Sequence, residues 1–468
     1  MIAKFFRSSM LPLVVLIGVS IITMLRFDRP LIRGDGVAYL AWVDTFVRDQ
    51  DLDLTNQYQR FQAVNSYQIT WDNDTQRFVN IFPFGVAFLQ APFYALGGAL
   101  KEAGLNQNPD YFIQMQGVEQ AYSLCLMLGA NLMALIAIGL AWFVARHFTD
   151  GWTAAVLTWG MFLGTPFLYY STVSPLNSHN PGAFLTTCMI YLLLKLAGAF
   201  RQPSAQEAEQ FREPPLVGWI VLGAVAGLMV LVRWQLLLVA ASAWGLLAWE
   251  RRWKGLLIAT VVAAVVLLPL PIVWNHLFTR PFVVPYNETT NESFLKLPVN
   301  AHRVFFRMLH YSPILLLSMA GIPFWWRLNR RWTILAVAMI GSQLLINGST
   351  RDWYDGDSFG ARRMSELYLV YVLLAAALLN HLPSREQFRQ WGTIRPVIGR
   401  VVLGGLIIYS VIFLLAFFLF SWTNPLGVFS DSPGVMLSYY FDHPYRQETL
   451  AAVIHTHLGP QAWSEPGP

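Results

Sequence analysis

The chain has 468 residues, 55% hydrophobic and 13% charged, with 18 Trp and 32 Phe. A water-soluble fold of that composition would lack the polar surface to cover itself, which leaves the bilayer as its solvent. The formal net charge of +5 does not point to nucleic acid, because the basic residues fall in short clusters between apolar stretches, the pattern of membrane topology.

Met1 to Arg7 is short and basic, and the apolar run from Leu11 to Leu25 is followed by Arg26, Phe27 and Asp28 with no small-residue cleavage site, so it reads as a retained first helix. Apolar runs at 9–27, 118–145, 152–171, 181–198, 216–233, 234–249, 255–274, 310–326, 332–347, 363–381 and 401–421 predict about eleven crossings. Basic clusters occupy alternate gaps: Lys4 with Arg7, Arg146, Arg201 with Arg212, Arg251 to Lys254, Arg327 to Arg331, and Arg385 to Arg400. The excess of Lys and Arg on the cytoplasmic side then predicts a cytoplasmic N-terminus, an external C-terminus and an inner or plasma membrane location. The fold class expected is an all-α polytopic membrane protein, with a membrane domain over 1–421 and an external tail over 422–468. The external segments are 28–117, 172–180, the turn at Arg233, 275–309, 348–362 and the tail. The run from Ile81 to Leu100 carries Pro83, Gly85, Pro92, Gly97 and Gly98. Counting it as a crossing would invert every later loop, so it reads as interfacial or re-entrant. Cys125 and Cys188 sit inside apolar runs and read as packing residues, not as a disulfide or a metal site.

The first external loop, at about 90 residues, is too long to be a connector. It opens with Arg33-Gly34-Asp35-Gly36, after which Tyr39, Leu40, Trp42, Val43, Phe46 and Val47 alternate with Asp44, Arg48, Asp49 and Asp51. That spacing predicts an aromatic-faced helix lying on the membrane surface. Asp35 begins it and has two roles open to it. It can cap the helix, or it can act as a general base, because apolar neighbours favour proton uptake by a carboxylate. Asp44 falls on roughly the opposite face and is expected to be solvated.

Between two crossings lies Ser174 to Asn180, where His179 either caps the helix starting near Pro181 or donates to a phosphate. Arg233 is flanked by apolar residues and must snorkel, pair or bind an anion. In the last external loop Trp353 and Tyr354 read as an interfacial aromatic belt. Arg362 and Arg363 run against the positive-inside trend there and suit bidentate capture of a phosphate. Asp352, Asp355 and Asp357 have the oxygen chemistry of a divalent metal site, yet such sites draw ligands from several elements, so no metal is assigned and the alternative stays open.

Taken in order, Gly34-Asp35-Gly36, Phe82-Pro83-Phe84-Gly85, Ala91-Pro92-Phe93-Tyr94, Arg233 and the stretch from Trp353 to Arg363 make a pattern. With them the chain resembles the multispanning C-type (GT-C) glycosyltransferases, particularly bacterial relatives of protein O-mannosyltransferases and of the lipid A aminoarabinose transferase. The resemblance implies a helical bundle in which interfacial helices of the first external loop cover a lipid-accessible groove. It implies transfer of a hexosyl or pentosyl group from a polyprenyl-phosphate sugar to a lipid, glycan or protein acceptor at the external face, usually with inversion. It implies no certain cofactor. Asp35 matches the loop aspartate that serves as base. Arg233, Arg362 and Arg363 match arginines that neutralise the departing phosphate, with His179 as a further phosphate ligand. Tyr39, Trp353, Tyr354 and Asp355 are candidates to line the substrate groove. The second acidic residue that members often carry near the site has no assigned match.

Two other classes of function compete with this one. A transporter or flippase of a lipid-linked sugar needs polar residues within its crossings, and apart from Arg233 the predicted crossings are nearly free of charge. A non-catalytic envelope scaffold would tolerate any change at Asp35.

Overall fold

The computed structural model describes residues 2–28, 32, 34–62, 65, 67–104, 120–199, 214–290, 293–296, 299–351 and 361–380. Helix α1 (Ile2–Phe27) opens the chain. The loop after it folds into α2 (Asp35–Asp44), a π turn at Thr45–Asp49, α3 (Thr55–Phe61), the hairpin β1 (Ile69–Asp72) and β2 (Arg77–Asn80), and α4 (Gly85–Glu102). The bundle continues with α5 (Gln120–Ala145), α6 (Gly151–Leu163), α7 (Phe167–Thr172), α8 (His179–Leu196), α9 (Leu216–Val232) and α10 (Leu237–Trp249). It ends with α11 (Trp253–Leu267), α12 (Pro269–Phe278), α13 (Pro285–Thr290), α14 (Ala301–Tyr311), α15 (Pro313–Met319), α16 (Ile322–Leu328), α17 (Arg330–Gly348) and α18 (Tyr368–Asn380).

Helices therefore occupy the expected apolar runs as far as 380, while the run at 401–421 and the tail at 422–468 lie outside the described residues. Several runs are broken where proline removes a backbone donor and crowds the preceding turn. Pro166 separates α6 from α7, and Pro313 starts α15 after a bend of 108° between 301–309 and 313–328. Among the described residues, Met10–Phe27, Ala121–Ala145 and Trp253–Phe278 are long and apolar enough to cross a membrane, and the bent pair makes a fourth if it is one span. The helices at Gly151–Leu163, Leu216–Val232 and Trp234–Trp249 are apolar but shorter. Helix α4 is not in either group. It runs antiparallel to the first half of α5, with Gly97 against Tyr122 and Gly129 of α5 against Gln90 and Phe93.

Contacts link several of the segments that carry basic clusters. Arg252 Nη1 donates to Leu196 O at 2.9 Å, Arg331 lies 3.6 Å from Glu250, and Phe148 meets Trp325 edge-on at 6.2 Å. Residues beside four of the basic clusters are thus joined, those near Arg146, Arg201, Arg252 and Arg331, through the Phe148–Trp325 contact and those around Arg252 and Glu250.

The first loop departs from expectation in three ways. Helix α2 does not lie on a surface, for every residue from Gly36 to Asp44 is buried. The segment after the hairpin wraps it, with Asn80 Nδ2 donating to Ala38 O and Trp42 Nε1 donating to Phe82 O, both at 2.9 Å. Asp44 is not solvated but fully buried, accepting from Gln57 Nε2 at 2.8 Å and from Arg60 and the Tyr94 hydroxyl. A carboxylate survives there because it is paired and hydrogen-bonded. The hairpin is also an addition to the expected all-helical loop. Ile69-Thr70-Trp71-Asp72 alternates in the manner of a strand, and polar Asn73-Asp74-Thr75 turns the chain so that Ile69 pairs with Asn80 and Asp72 with Arg77.

Two packing details carry consequences. Helices α9 and α11 touch backbone to backbone, because a Cβ on Gly223 would lie 2.4 Å from Ala259 O and one on Gly227 would lie 2.8 Å from Ala263 O. Small residues four apart on both helices permit this approach. Asp28 follows α1 and accepts from Asn131 Nδ2 of α5 at 2.7 Å. Burial pushes its carboxyl up to about 7, with the Asn131 bond acting the other way.

Gly223→Ala is expected to lower stability in detergent by about 1–3 kcal/mol through overpacking. Gly245→Ala, a site with nothing within 4 Å of the added methyl, is expected to be neutral or stabilising, and thermal melting of both variants checks the contrast. For Asp28 the folded value lies above the ordinary carboxylate value of 3.8, so its contribution is fully present at low pH and is lost as pH rises through about 7. Asp28→Asn is expected to melt above wild type near ~pH 8, with the gap closing as pH falls towards ~4.

Candidate active site

Gly34 has φ +53°, a left-handed turn that glycine adopts without strain, and it sets Asp35 as the first residue of α2. The helix is not capped by a side chain, so the capping role open to Asp35 is not the one it takes. Its Oδ1 accepts from the Tyr67 hydroxyl at 2.9 Å and its Oδ2 from Arg362 Nη1 at 3.0 Å. The Asp35 side chain keeps 17% of its surface exposed, enough for a small group to reach it. Gly36 presses the start of α2 onto the loop before α8, where a Cβ would lie 2.8 Å from Leu176 O.

Tyr39 lies one turn further along the same face and hydrogen-bonds Ser178. Burial pushes its hydroxyl up, with Arg233 opposing and Asp35 adding to the shift. Burial does the same to Tyr67, reinforced by the neighbouring Asp35 charge. Both phenols therefore remain O–H donors.

Ser178 leads to the deepest part of the site. Arg233 ends α9 in an extended conformation, is 8% exposed, and donates from Nη1 to Ser178 Oγ at 2.9 Å. Its Nε lies 2.8 Å from Glu366 Oε1, and His179 Nδ1 lies 2.7 Å from the same oxygen. A carboxylate only accepts, so Nδ1 carries the proton, and Arg233 Nη1 lies beside the ring, 3.3 Å from Nδ1 and 3.2 Å from Nε2. His179 thus does not cap α8. Its ring is committed to Glu366 and Arg233, and it packs against Tyr170 with centroids 4.7 Å apart. Of the alternatives open to Arg233, the structure takes pairing.

The arrangement gathers Asp35, Tyr39, His179, Arg233 and Arg362 at one end of the bundle. Arg363 donates to Thr350 Oγ1 at 2.9 Å, while both Arg362 and Arg363 bear electrostatically on His179. Trp353, Tyr354 and Asp355, with Asp352 and Asp357, lie outside the described residues. Among the described residues no group of three or more His, Cys, Asp or Glu side chains is placed to hold a metal ion. The N-termini of α2 and α8 point their partial positive charge into the same region, which adds to the arginines in favouring an anion.

Three members of the site escaped the sequence reading: Tyr67, Ser178 and Glu366. Glu366 had a usable signal, being the one acid in the apolar run at 363–381 of a chain whose predicted crossings are nearly free of charge apart from Arg233. Residues Arg362–Leu367 form a 3₁₀ turn and α18 begins only at Tyr368, so Glu366 sits at the mouth of the helix. The motif residues acquire roles in support. A Cβ on Gly85 would lie 2.3 Å from the Leu231 carbonyl carbon, so only glycine lets α4 abut the end of α9 beside Arg233. Phe82 packs edge-on against Tyr39 at 5.6 Å, and Tyr94 anchors buried Asp44.

No family model and no curated protein matches the chain. Solved structures do. The oligosaccharyltransferase of Archaeoglobus fulgidus in the apo form aligns over 98% of this chain and 61% of its own, with TM-score 0.54 and 12% identity. The archaeal oligosaccharyltransferase AglB from the same organism, in complex with an inhibitory peptide and a dolichol-phosphate, aligns over 100% of this chain and 61% of its own, with TM-score 0.54 and 13% identity. ArnT from Cupriavidus metallidurans in the apo state aligns over 96% and 78%, with TM-score 0.51 and 13% identity. The chain thus spans about three fifths of the length of the archaeal proteins, 61% in each case. At these identities the likeness is one of fold: the chain has the helical membrane fold of GT-C glycosyltransferases, the resemblance that its motifs carry.

Proposed function

We propose that the chain is a membrane glycosyltransferase that moves a hexosyl or pentosyl group from a polyprenyl-phosphate donor to a lipid, glycan or protein acceptor, with inversion and with Asp35 as general base. The observation that carries this reading is the pairing of a partly open carboxylate with a cation, Asp35 with Arg362 at 3.0 Å, at the end of a bundle with the GT-C fold. The dolichol-phosphate held by AglB supports a polyprenyl phosphate as the donor class.

In this reading the acceptor hydroxyl approaches Asp35, which takes its proton as the oxygen attacks the anomeric carbon. In-line displacement puts the leaving phosphate on the far face of the sugar. Arg362 turns from Asp35 towards that phosphate as the donor enters. Arg233, with Arg363 and His179 behind it, and the N-termini of α2 and α8 stabilise the negative charge that builds up on the phosphate. Tyr39 lines the sugar pocket, and Trp353, Tyr354 and Asp355 complete the groove. About eleven crossings, a cytoplasmic N-terminus and an external site complete the topology.

The buried Arg233–Glu366 pair is the observation that a flippase reading would use, since charges within a bundle often mark a substrate path. Transfer by purified protein from a panel of polyprenyl-phosphate sugars separates the two. Wild type is expected to transfer and Asp35→Asn to lose about 10²–10⁴-fold in kcat while still folding. Transfer that survives the substitution assigns the base elsewhere. No transfer with any donor, together with donor translocation in liposomes, overturns the enzyme reading.

A further inference from the structure

The reaction just described gives Glu366 no part, yet its carboxylate is fully buried, and a buried carboxylate is costly unless it is held by partners. We infer that Glu366 is a positioning residue that orients Arg233 and His179 for the leaving phosphate, an inference that rests on the transferase reading above.

One oxygen of Glu366 does two things. It forms an ion pair with Arg233, 2.8 Å from Nε, and accepts the Nδ1–H of His179 at 2.7 Å. The imidazole is thereby held beside Arg233, whose Nη1 lies 3.3 Å from Nδ1 and 3.2 Å from Nε2, and Ser178 takes the same Nη1 at 2.9 Å. The guanidinium is thus held between Glu366 on one side and Ser178 on the other. Gly182, one turn into α8, lies beside the pair: a Cβ there would be in ordinary contact, 3.5 Å from both Arg233 Cδ and Glu366 Cδ. Arg233, His179 and Glu366 come from the end of α9, the start of α8 and the turn before α18, so the carboxylate also ties three helix ends together. A cation held in this way is in place before the phosphate leaves and needs no rearrangement as charge builds up, which is where electrostatic stabilisation is most effective. Glu366 itself touches no reacting atom.

The test compares kcat, donor KM and thermal melting of the full chain for wild type, Glu366→Gln, Arg233→Gln and the double variant. If Glu366 acts through Arg233, Glu366→Gln lowers kcat by about 10²-fold, and adding it to Arg233→Gln lowers kcat no further. A merely structural role predicts a lower melting point with kcat per folded molecule unchanged, and that result overturns the inference. So does a double variant whose losses multiply. Should Glu366→Gln fail to fold, Glu366→Asp takes its place, keeping the charge but withdrawing it from Arg233: a lower kcat at an unchanged melting point supports the inference, and an unchanged kcat overturns it. A wild type inactive with every donor removes the transferase reading and this role with it, whereas an active wild type indifferent to Glu366→Gln removes this role only.

Discussion

An arginine at the end of an apolar helix cannot stay unpaired, and most of the site follows from how Arg233 is satisfied. A buried cation without a partner is more costly than any single contact around it is favourable, so the fold must bring an acid to it. That acid is Glu366, supplied by a short 3₁₀ turn ahead of α18. The same oxygen takes His179, and Ser178 takes the other edge of the guanidinium. Through Ser178 the cluster reaches Tyr39, and from Tyr39 one helical turn leads back to Asp35. Arg362, four residues before Glu366 in the same turn, closes the circuit on Asp35.

The catalytic candidate is held from both ends of its helix. Asp35 at the start of α2 is fixed by Tyr67 and Arg362, while Asp44 at the other end is fixed by Gln57, Arg60 and Tyr94. A helix buried along nearly its whole length has no freedom to roll, so the direction of the Asp35 carboxylate is a property of the packing around it. Close backbone approach supplies the rest. Gly36 lets α2 sit on the loop before α8, and Gly85 lets α4 sit on the end of α9, so the parts of the first loop are pressed against the two helix ends that carry the deep cluster.

Such a site joins a rigid, charge-balanced interior to a partly open carboxylate. Arg233 and Glu366 are buried and hold each other, whereas Asp35 and Arg362 retain 17% and 11% side-chain exposure. Asp35 is the most open of these four side chains. The buried pair keeps its geometry whether or not substrate is present, a division that suits a reaction in which one group must exchange a proton and another must only present charge.

Composition and periodicity by themselves determined the solvent of this protein, the apolar helices and the residues worth watching, because each is a local or additive property of the chain. Hydrophobic runs place helices wherever 3.6-residue geometry can satisfy the backbone, and Arg233, His179 and Asp35 stood out as polar groups in apolar settings. Short motifs were enough for the resemblance to GT-C enzymes, since they record where glycines and prolines shape the loop. What only the tertiary structure decided was who meets whom. Asp44 looks solvated along its own helix and is buried, because Tyr94 arrives from 50 residues away. Glu366 looks like a stray charge in an apolar run, yet it pairs with a histidine 187 residues earlier. A side chain's neighbours on its own helix can be read from spacing, but the partner that makes a buried charge tolerable comes from another element, and no local pattern encodes which one.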